Sequence, residues 1–281
     1  MKDIIKDSDI CLNNIFRLDK ENKSVNTRIK AHIRELALFL SPLLPKELSE
    51  DSADQLRQTL RDKSSGLSGE QMNELCLMLS QLDSGYNFSQ KYLDIREKKN
   101  TATAVYVKNA LCDIAFEKFS KHFDKLSVYY ADDFESALED VYYSKADYTI
   151  IPVSSSKNGR LAHFGELILR YEMKICMKCT VHSNTDESET QFLLLSKNTE
   201  SFGASESICF EFLLSRPEES FTDILWAAKQ YGCKYISSHM SAENSHAVIE
   251  LDVSKGNTDA LCLYLFLEHP RHVPMGLYGI I

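Results

Sequence analysis

The stretch ADYTIIPVSSSKNGRL, at residues 146–161, determines how the middle of this chain is interpreted. Its first half is a short apolar run typical of a buried strand, and its second half is polar and contains three serines. Ligands of α/β sheets bind at the carboxyl ends of strands, where Ser154, Ser155 and Ser156 lie. These hydroxyl groups and the backbone of 157–159 form a candidate site for a small carboxylate. A solvated turn is the alternative.

Strands alternate with helices on both sides of this stretch. Four further strands are predicted at 101–107, 125–130, 174–181 and 190–196, and three helices at 111–123, 134–143 and 161–171. Alternation with short connections is typical of βαβ units and predicts a largely parallel sheet. The last two strands are joined by a polar turn, HSNTDESE, at residues 182–189.

A second pattern begins after residue 205. Strands are predicted at 208–215, 233–240, 246–253 and 273–281. Between them, one helix is predicted from a cap at Ser220–Asp223 to Gly232, and another at 257–268. The resulting order, βαββαβ, is that of a ferredoxin-like unit.

Residues 1–100 are predicted to be helical. One long helix ends at Pro42 and Pro45, and its apolar face consists of Val25, Ile29, Ile33, Leu36, Leu40 and Leu43. A short helix with Leu56 and Leu60 inward follows. A capping box at Ser68–Gln71 then begins a third helix, which is predicted to continue past Gly85 to Tyr92. The charged run at 96–100 is predicted to be a solvated linker.

The composition is that of a soluble globular protein: 43% of the 281 residues are apolar and 26% are charged. The first hundred residues carry 16 basic and 16 acidic side chains, and the remainder carries 16 and 25, so the net charge of −9 lies after residue 100. This acidic part argues against nucleic acid or an anionic membrane as a partner. There is no apolar run of membrane-spanning length and no signal-like N-terminus, so we expect a cytoplasmic protein.

The eight cysteines are scattered through apolar segments, which favours small buried side chains over a disulfide framework. The one close pair, Cys176 and Cys179, lies within a strand-like stretch and supplies at most two metal ligands. We therefore expect no metal and no cofactor.

Two motifs resemble those of the prephenate dehydratase family. Residues 146–161 follow the family's pattern at Pro152, Ser156 and Gly159, with serines where glutamate and asparagine are usual. Residues 190–192, Thr-Gln-Phe, are similar to the family's Thr-Arg-Phe catalytic motif, with Gln191 in place of the arginine. The resemblance covers about residues 101–281.

The resemblance implies a fold of mixed α/β and α+β class with three parts. An N-terminal all-helical domain (1–100) would stand in the place of chorismate mutase. A single-lobed, periplasmic-binding-protein-like α/β domain (101–200) and a C-terminal ACT-like βαββαβ domain (205–281) would follow. In the family, a second lobe of several dozen residues precedes the Thr-Arg-Phe motif. Here only HSNTDESE fills that position, which indicates that the second lobe is missing.

The function implied is binding or regulation in aromatic amino-acid (L-phenylalanine) metabolism, without efficient dehydratase activity. An arginine fork pairs with carboxylates, whereas Gln191 offers only an uncharged amide. Thr190 would be the one remaining donor to a leaving hydroxyl group, although residues 190–192 also read as an ordinary strand. By resemblance to the family's effector segment, Ser237 and Ser238 are further candidates. The expected ligand is an aromatic amino acid or a compound like prephenate or chorismate.

Two alternatives remain open. In the first, the protein is an active enzyme: a chorismate mutase with Arg28, Arg34 and Gln90 as candidate residues, or a prephenate dehydratase. Cations that clamp two carboxylates are the main requirement of the mutase reaction. In the second, the protein is an assembly module without a ligand. A homodimer formed through the ACT-like units is expected, since their sheet edge needs a cover.

Overall fold

The structure, a computed structural model, describes residues 2–44, 48, 50–82, 87–183, 188–202, 207–240 and 246–281. The chain divides into two compact units, Met1–Tyr86 and Asn87–Ile281, so the division precedes the predicted limit at residue 100. Within the described ranges, no helix is long and apolar enough to cross a membrane.

The first unit is helical. It contains α1 (Lys2–Leu40), a 3₁₀ turn (Ser41–Leu43), α2 (Glu50–Lys63) and α3 (Gly69–Leu82). Helices α1 and α3 pack together, and Ile33, Ala37 and Leu40 are buried on α1. The predicted apolar face of this helix was too long. Val25 and Leu43, at its two ends, are 50% and 43% exposed, since the buried face of α1 is the one that carries Ala37.

The capping box at the start of α3 is confirmed. The backbone N–H of Ser68 donates to Oε1 of Gln71 at 3.0 Å, and the N–H of Gln71 donates to Oγ of Ser68 at 3.3 Å. This reciprocal pair satisfies two backbone donors that the helix itself leaves without acceptors.

The second unit contains the remaining elements. Its helices are α4 (Phe88–Tyr92), α5 (Ala110–Ser120), α6 (Phe134–Tyr142), α7 (Ala162–Arg170), α8 (Pro217–Gln230) and α9 (Thr258–Glu268). Its strands are β1 (Arg96–Glu97), β2 (Thr101–Val107), β3 (Lys125–Ala131), β4 (Tyr148–Ser155), β5 (Gly159–Arg160), β6 (Lys174–His182), β7 (Glu189–Ser196), β8 (Glu200–Ser201), β9 (Ser207–Ser215), β10 (Lys234–Met240), β11 (His246–Asp252) and β12 (Val273–Ile280).

Two helices differ from the predictions in a way that affects the architecture. Helix α3 ends at Leu82, and α4 is a separate helix of the second unit, where Phe88 and Tyr92 each lie 5.5 Å, centroid to centroid, from the ring of Phe266. Gly85, through which the third helix was predicted to continue, lies outside the described residues. Helix α8 begins at Pro217 rather than at Ser220, because proline suits the first position of a helix.

One large sheet runs through the second unit in the order β10-β11-β9-β12-β6-β7-β4-β2-β3, and β5 pairs with β4. The sheet is mixed. Strand β2 is parallel to β3 and β4, whereas β7 is antiparallel to both β4 and β6. The prediction of a largely parallel sheet is therefore wrong beyond β4. The reason is the short connection at 183–188, which returns the chain beside β6 as a hairpin.

The last strand joins the two predicted α/β parts. Strand β12 lies parallel to β6, with Gly279 opposite Met177, and antiparallel to β9. The order β12-β9-β11-β10, with α8 and α9 as connections, is that of a ferredoxin-like unit. Residues 101–200 and 205–281 therefore share one continuous sheet.

The two faces of this sheet carry separate apolar cores. On one face, Ile151, Leu193 and Leu195 form a core with residues of α6 and α7. On the other face, Tyr148 and Phe192 form a core with residues of α5. Seven cysteines, at 76, 112, 176, 179, 209, 233 and 262, are buried and unbridged, as predicted, and the side chain of Cys11 lies outside the described part.

Candidate functional site

A cavity of about 380 Å³ opens where the carboxyl end of β4 faces the strands of the ferredoxin-like unit. Strands β4, β6, β7, β9, β10 and β11 all contribute side chains. The polar residues that line it are Ser154, Ser155, Ser156, Lys178, Glu189, Gln191, Glu211, Ser237, His239 and Glu250. Candidate residues from two separate sequence segments, the serine loop and the 236–240 segment, thus meet in one cavity.

A tight hairpin positions the three serines. The pairing of β4 with β7 shifts register between Pro152 and Ser154, and the chain then turns into β5 at Gly159, which has a φ of +66°. This left-handed conformation is one that glycine adopts without strain. Ser155 Oγ accepts a hydrogen bond from the N–H of Asn158 at 3.0 Å, so one serine also stabilises the turn.

Gln191 and Ser154 form a polar pair on the wall of the cavity. Ser154 Oγ donates to Oε1 of Gln191 at 2.8 Å. Oε1 is thereby occupied, and within the described part of the chain Nε2 of Gln191 has no acceptor. This amide N–H group can donate to a ligand oxygen.

Thr190 does not line the cavity. Successive residues of a strand point to opposite faces, and Thr190, next to Gln191, is only 8% exposed. Of the Thr-Gln-Phe triplet, Gln191 therefore faces the cavity and Thr190 does not.

A buried polar cluster forms the floor of the cavity on the β9–β11 side. Lys178 Nζ lies 2.8 Å from Oε1 of Glu250, and Ser237 Oγ donates to Oε2 of Glu250 at 3.1 Å. The hydroxyl of Tyr278 lies 2.9 Å from both Glu211 Oε2 and Glu250 Oε1. One hydroxyl proton serves one acceptor at a time, so the two carboxyl groups share this donor.

Burial and charge act in opposite directions on Glu250. Burial raises the pKa of Glu250, but the charge of Lys178 and hydrogen bonds from Lys178, Tyr278 and Ser237 hold that pKa below its usual value. Burial and the neighbouring carboxylates, Glu211 first, raise the pKa of Tyr278 far above its ordinary value. Glu250 is consequently ionised and Tyr278 is neutral at pH 7.

The other predicted site residues lie elsewhere. Ser238 follows Ser237 on β10, but its hydroxyl contacts the hydroxyl of Tyr235 at 2.8 Å. Arg28 and Arg34 are exposed on α1 of the first unit. Gln90 is exposed on α4, in the second unit, so the mutase candidates do not belong to one compact unit.

The sequence interpretation missed Lys178, Glu211, Glu250 and Tyr278. Each of the three charged residues stands between two apolar neighbours inside a strand, as in Phe210-Glu211-Phe212. Side-chain alternation along a strand, taken alone, predicts that such a residue faces solvent. The signal that could have identified them is the repetition of this pattern, a charged residue between two apolar ones, on three strands.

Comparison with known proteins identifies the fold. No protein-family model and no curated protein sequence matches this chain. Among solved structures, prephenate dehydratase from Streptococcus mutans is similar at 12% identity, with a TM-score of 0.53. That match covers 64% of this chain and 99% of the other.

Two other solved structures are similar at 12% identity and a TM-score of 0.48. One is a prephenate dehydratase from Arthrobacter aurescens in complex with L-Phe, with 63% of this chain and 89% of the other covered. The other is GqqA, described as a quorum-quenching acylase, with 63% and 94% covered. From the Streptococcus mutans match, we conclude that this chain has, over 64% of its length, a fold similar to that of prephenate dehydratase.

Proposed function

We propose that this protein binds a small carboxylate-bearing compound of aromatic amino-acid metabolism and acts as a ligand-binding or regulatory protein. The supporting observation is the cavity shared by Ser154, Gln191 and Ser237, which come from both predicted α/β parts. In this proposal, residues 101–200 are a one-lobed dehydratase-like domain and residues 205–281 are an ACT-like domain. A ligand in the cavity contacts both. Its binding can therefore be transmitted between them.

The donors around the cavity suit a carboxylate bound through neutral groups. Gln191 Nε2 and the hydroxyl protons of Ser155 and Ser156 supply hydrogen bonds, and each is worth about 0.5–1.5 kcal/mol in net terms. The hydroxyl protons of Ser154 and Ser237 are already donated to Gln191 and Glu250. Among the described lining residues, Lys178 is the only lysine or arginine and Glu250 already neutralises it, while Glu189 and Glu211 add two further carboxyl groups. A ligand that carries an ammonium group beside its carboxylate, such as an aromatic amino acid, therefore fits this wall better than a dianion does. Neutral donors of this kind favour reversible binding.

The same features argue for a catalytically deficient dehydratase. Loss of hydroxide and carbon dioxide from prephenate needs cations at the carboxylates and a donor at the leaving hydroxyl group. Gln191 brings no charge, and Thr190 lies outside the cavity. Strands β6 and β7 are joined by 183–188, too few residues to form a second lobe that would close over a substrate.

Calorimetric titration of the whole chain tests the proposal. Phenylalanine, tyrosine, tryptophan, prephenate and chorismate are added in turn, and we expect heat from at least one. Gln191→Leu removes the amide donor and should weaken that binding. Absence of heat from all five compounds, together with no turnover of prephenate or chorismate, would leave the assembly-module alternative.

We also propose a homodimer formed through β10. This strand is an edge of the sheet, and Tyr235 and Met240 on it are 50% and 49% exposed. An exposed strand edge with apolar side chains is a template for pairing with another strand. Sedimentation of the protein and of Met240→Lys tests this: we expect a dimer for the first and a shift toward monomer for the second.

A further inference from the structure

A second cavity, of about 420 Å³, lies where β6, β8 and β12 approach one another. Most of its wall is apolar and is formed by Ile95, Met177, Phe202, Ile208, Leu277 and Ile280. Its volume is within the range of small-molecule sites, about 300–1,000 Å³, and far above the space that one water needs. Of the residues discussed above, Tyr278 and Cys176 also line it, but none of the candidate ligand contacts of the first cavity does.

One carboxyl side chain interrupts this apolar wall. Glu200, on β8, lines the cavity and is only 7% exposed. Its Oε2 accepts a hydrogen bond from the hydroxyl of Tyr148. Among the described residues, no lysine, arginine or histidine forms an ion pair with Glu200, and no donor reaches its Oε1.

The positive charges around Glu200 are engaged elsewhere. Lys99 forms an ion pair with Asp147, and Arg96 forms one with Asp94. Burial raises the pKa of Glu200, although the hydrogen bond from Tyr148 and the charges of Lys99 and Arg96 oppose the increase. A buried carboxylate without a cation is energetically unfavourable, so a bound cation would stabilise it.

The other polar side chains of the cavity are neutral at pH 7. Burial raises the pKa of the Cys176 thiol to about 12. Burial and the charges of Lys98 and Lys121 lower the pKa of His122. Among the described lining residues, Glu200 is therefore the only side chain that can offer a charge to a ligand, and that charge is negative.

We propose that this cavity binds an apolar compound that carries one protonated amine. The ammonium group donates to Oε1 of Glu200 and supplies the missing cation. The apolar part of the ligand lies against Phe202, Ile208 and Leu277, where it is removed from water. An anion of the same size is excluded, since it would meet the carboxylate of Glu200 in an apolar surrounding.

Three probes of equal chain length test this assignment in calorimetric titrations of the whole chain at pH 7: hexylamine, 1-hexanol and hexanoate. We expect hexylamine to bind at least about tenfold more tightly than 1-hexanol, and hexanoate to bind most weakly. Equal affinities for the amine and the alcohol, or no binding of the amine, would overturn the proposal.

Two variants locate the site. Glu200→Gln retains an acceptor for Tyr148 and removes the charge, so the affinity for hexylamine should fall about tenfold while that for 1-hexanol stays constant. Glu117→Gln, which removes an exposed carboxylate of α5, is the charge-matched control and should change neither affinity. Ile208→Phe narrows the cavity and should weaken both probes. Unchanged hexylamine affinity in either Glu200→Gln or Ile208→Phe contradicts the assignment.

Discussion

The ammonium group of Lys178 on β6 lies 2.8 Å from the carboxylate of Glu250 on β11, although β12 and β9 lie between these strands in the sheet. Both side chains are buried, with 11% and 5% exposed. The pair thus connects the two α/β parts above the sheet. We expect Lys178→Met to lower the free energy of unfolding by about 3–5 kcal/mol, because it leaves Glu250 buried without its cation.

Urea unfolding of the single variant and of the double variant Lys178→Met/Glu250→Gln measures this effect. The double variant lacks both charges of the pair and should recover a large part of the loss. A double variant less stable than the single one would show that the pair itself, and not the unpaired carboxylate, accounts for the loss.

Glu250 should make stability depend on pH in the acid range. Its pKa is lower in the folded chain than in the unfolded chain, so its contribution is fully present above the unfolded value of about 4.3. That contribution disappears as the pH falls through the folded value. The difference in unfolding free energy between wild type and Glu250→Gln should therefore shrink from pH 6 to pH 3. A difference that stays constant over this range contradicts the prediction.

Glu200 should have the opposite effect. Its pKa is raised in the folded chain, so the folded form holds a proton that the unfolded form has already lost, and stability decreases as the pH rises above the unfolded value. Glu200→Gln removes this dependence. The unfolding free energy of the variant minus that of wild type should therefore be larger at pH 7 than at pH 4. Urea unfolding of both proteins at both pH values measures this difference.

Gly276 permits the close approach of β12 to β6. A Cβ at this position would overlap the carbonyl oxygen of Ile175 and lie 2.9 Å from its Cβ. Gly276→Ala should therefore lower the unfolding free energy by about 1–3 kcal/mol, since backbone has to move. Gly165→Ala, in α7 with open space around it, is the control. That substitution should raise stability by about 0.5–1 kcal/mol, because alanine favours the helix. Thermal unfolding of the two variants distinguishes them.

Ser237 and Ser238 are neighbours on β10 and were both predicted to contact the ligand, but only one of them lines the cavity. Ser237 lines the first cavity and donates to Glu250, whereas Ser238 contacts Tyr235. With whichever of the five aromatic-pathway compounds gives heat, Ser237→Ala should weaken binding by about 1 kcal/mol and Ser238→Ala should not. Calorimetric titration decides this, and equal effects of the two substitutions would place the ligand elsewhere.

The elements of the second unit could be predicted closely because their signals are local. The strand at 101–107 matches β2, and Asn257 accepts a hydrogen bond from the N–H of Ala260 as the cap of α9, the helix predicted to begin there. The pairing of β12 with β6 could not be predicted, because it joins residues about a hundred positions apart and no local pattern records it.

In the candidate site, too, the residues with local signals could be predicted and those that depend on long-range pairing could not. The serine loop and Gln191 were found from motifs within single segments. The polar cluster of Lys178, Glu211 and Glu250 depends on three strands meeting, so each residue taken alone looked like one of many surface charges. Long-range register decides which charges become buried.

The position of β12 has a consequence for the order in which the chain can fold. Residues 273–280 complete both β6 and β9, although those strands are synthesised much earlier. Until β12 is available, each of the two apolar strands has an open edge where another chain can pair. A ribosome-bound nascent chain ending before residue 273 should therefore need a chaperone at these edges, and cooperative formation of the second unit has to wait for its last strand.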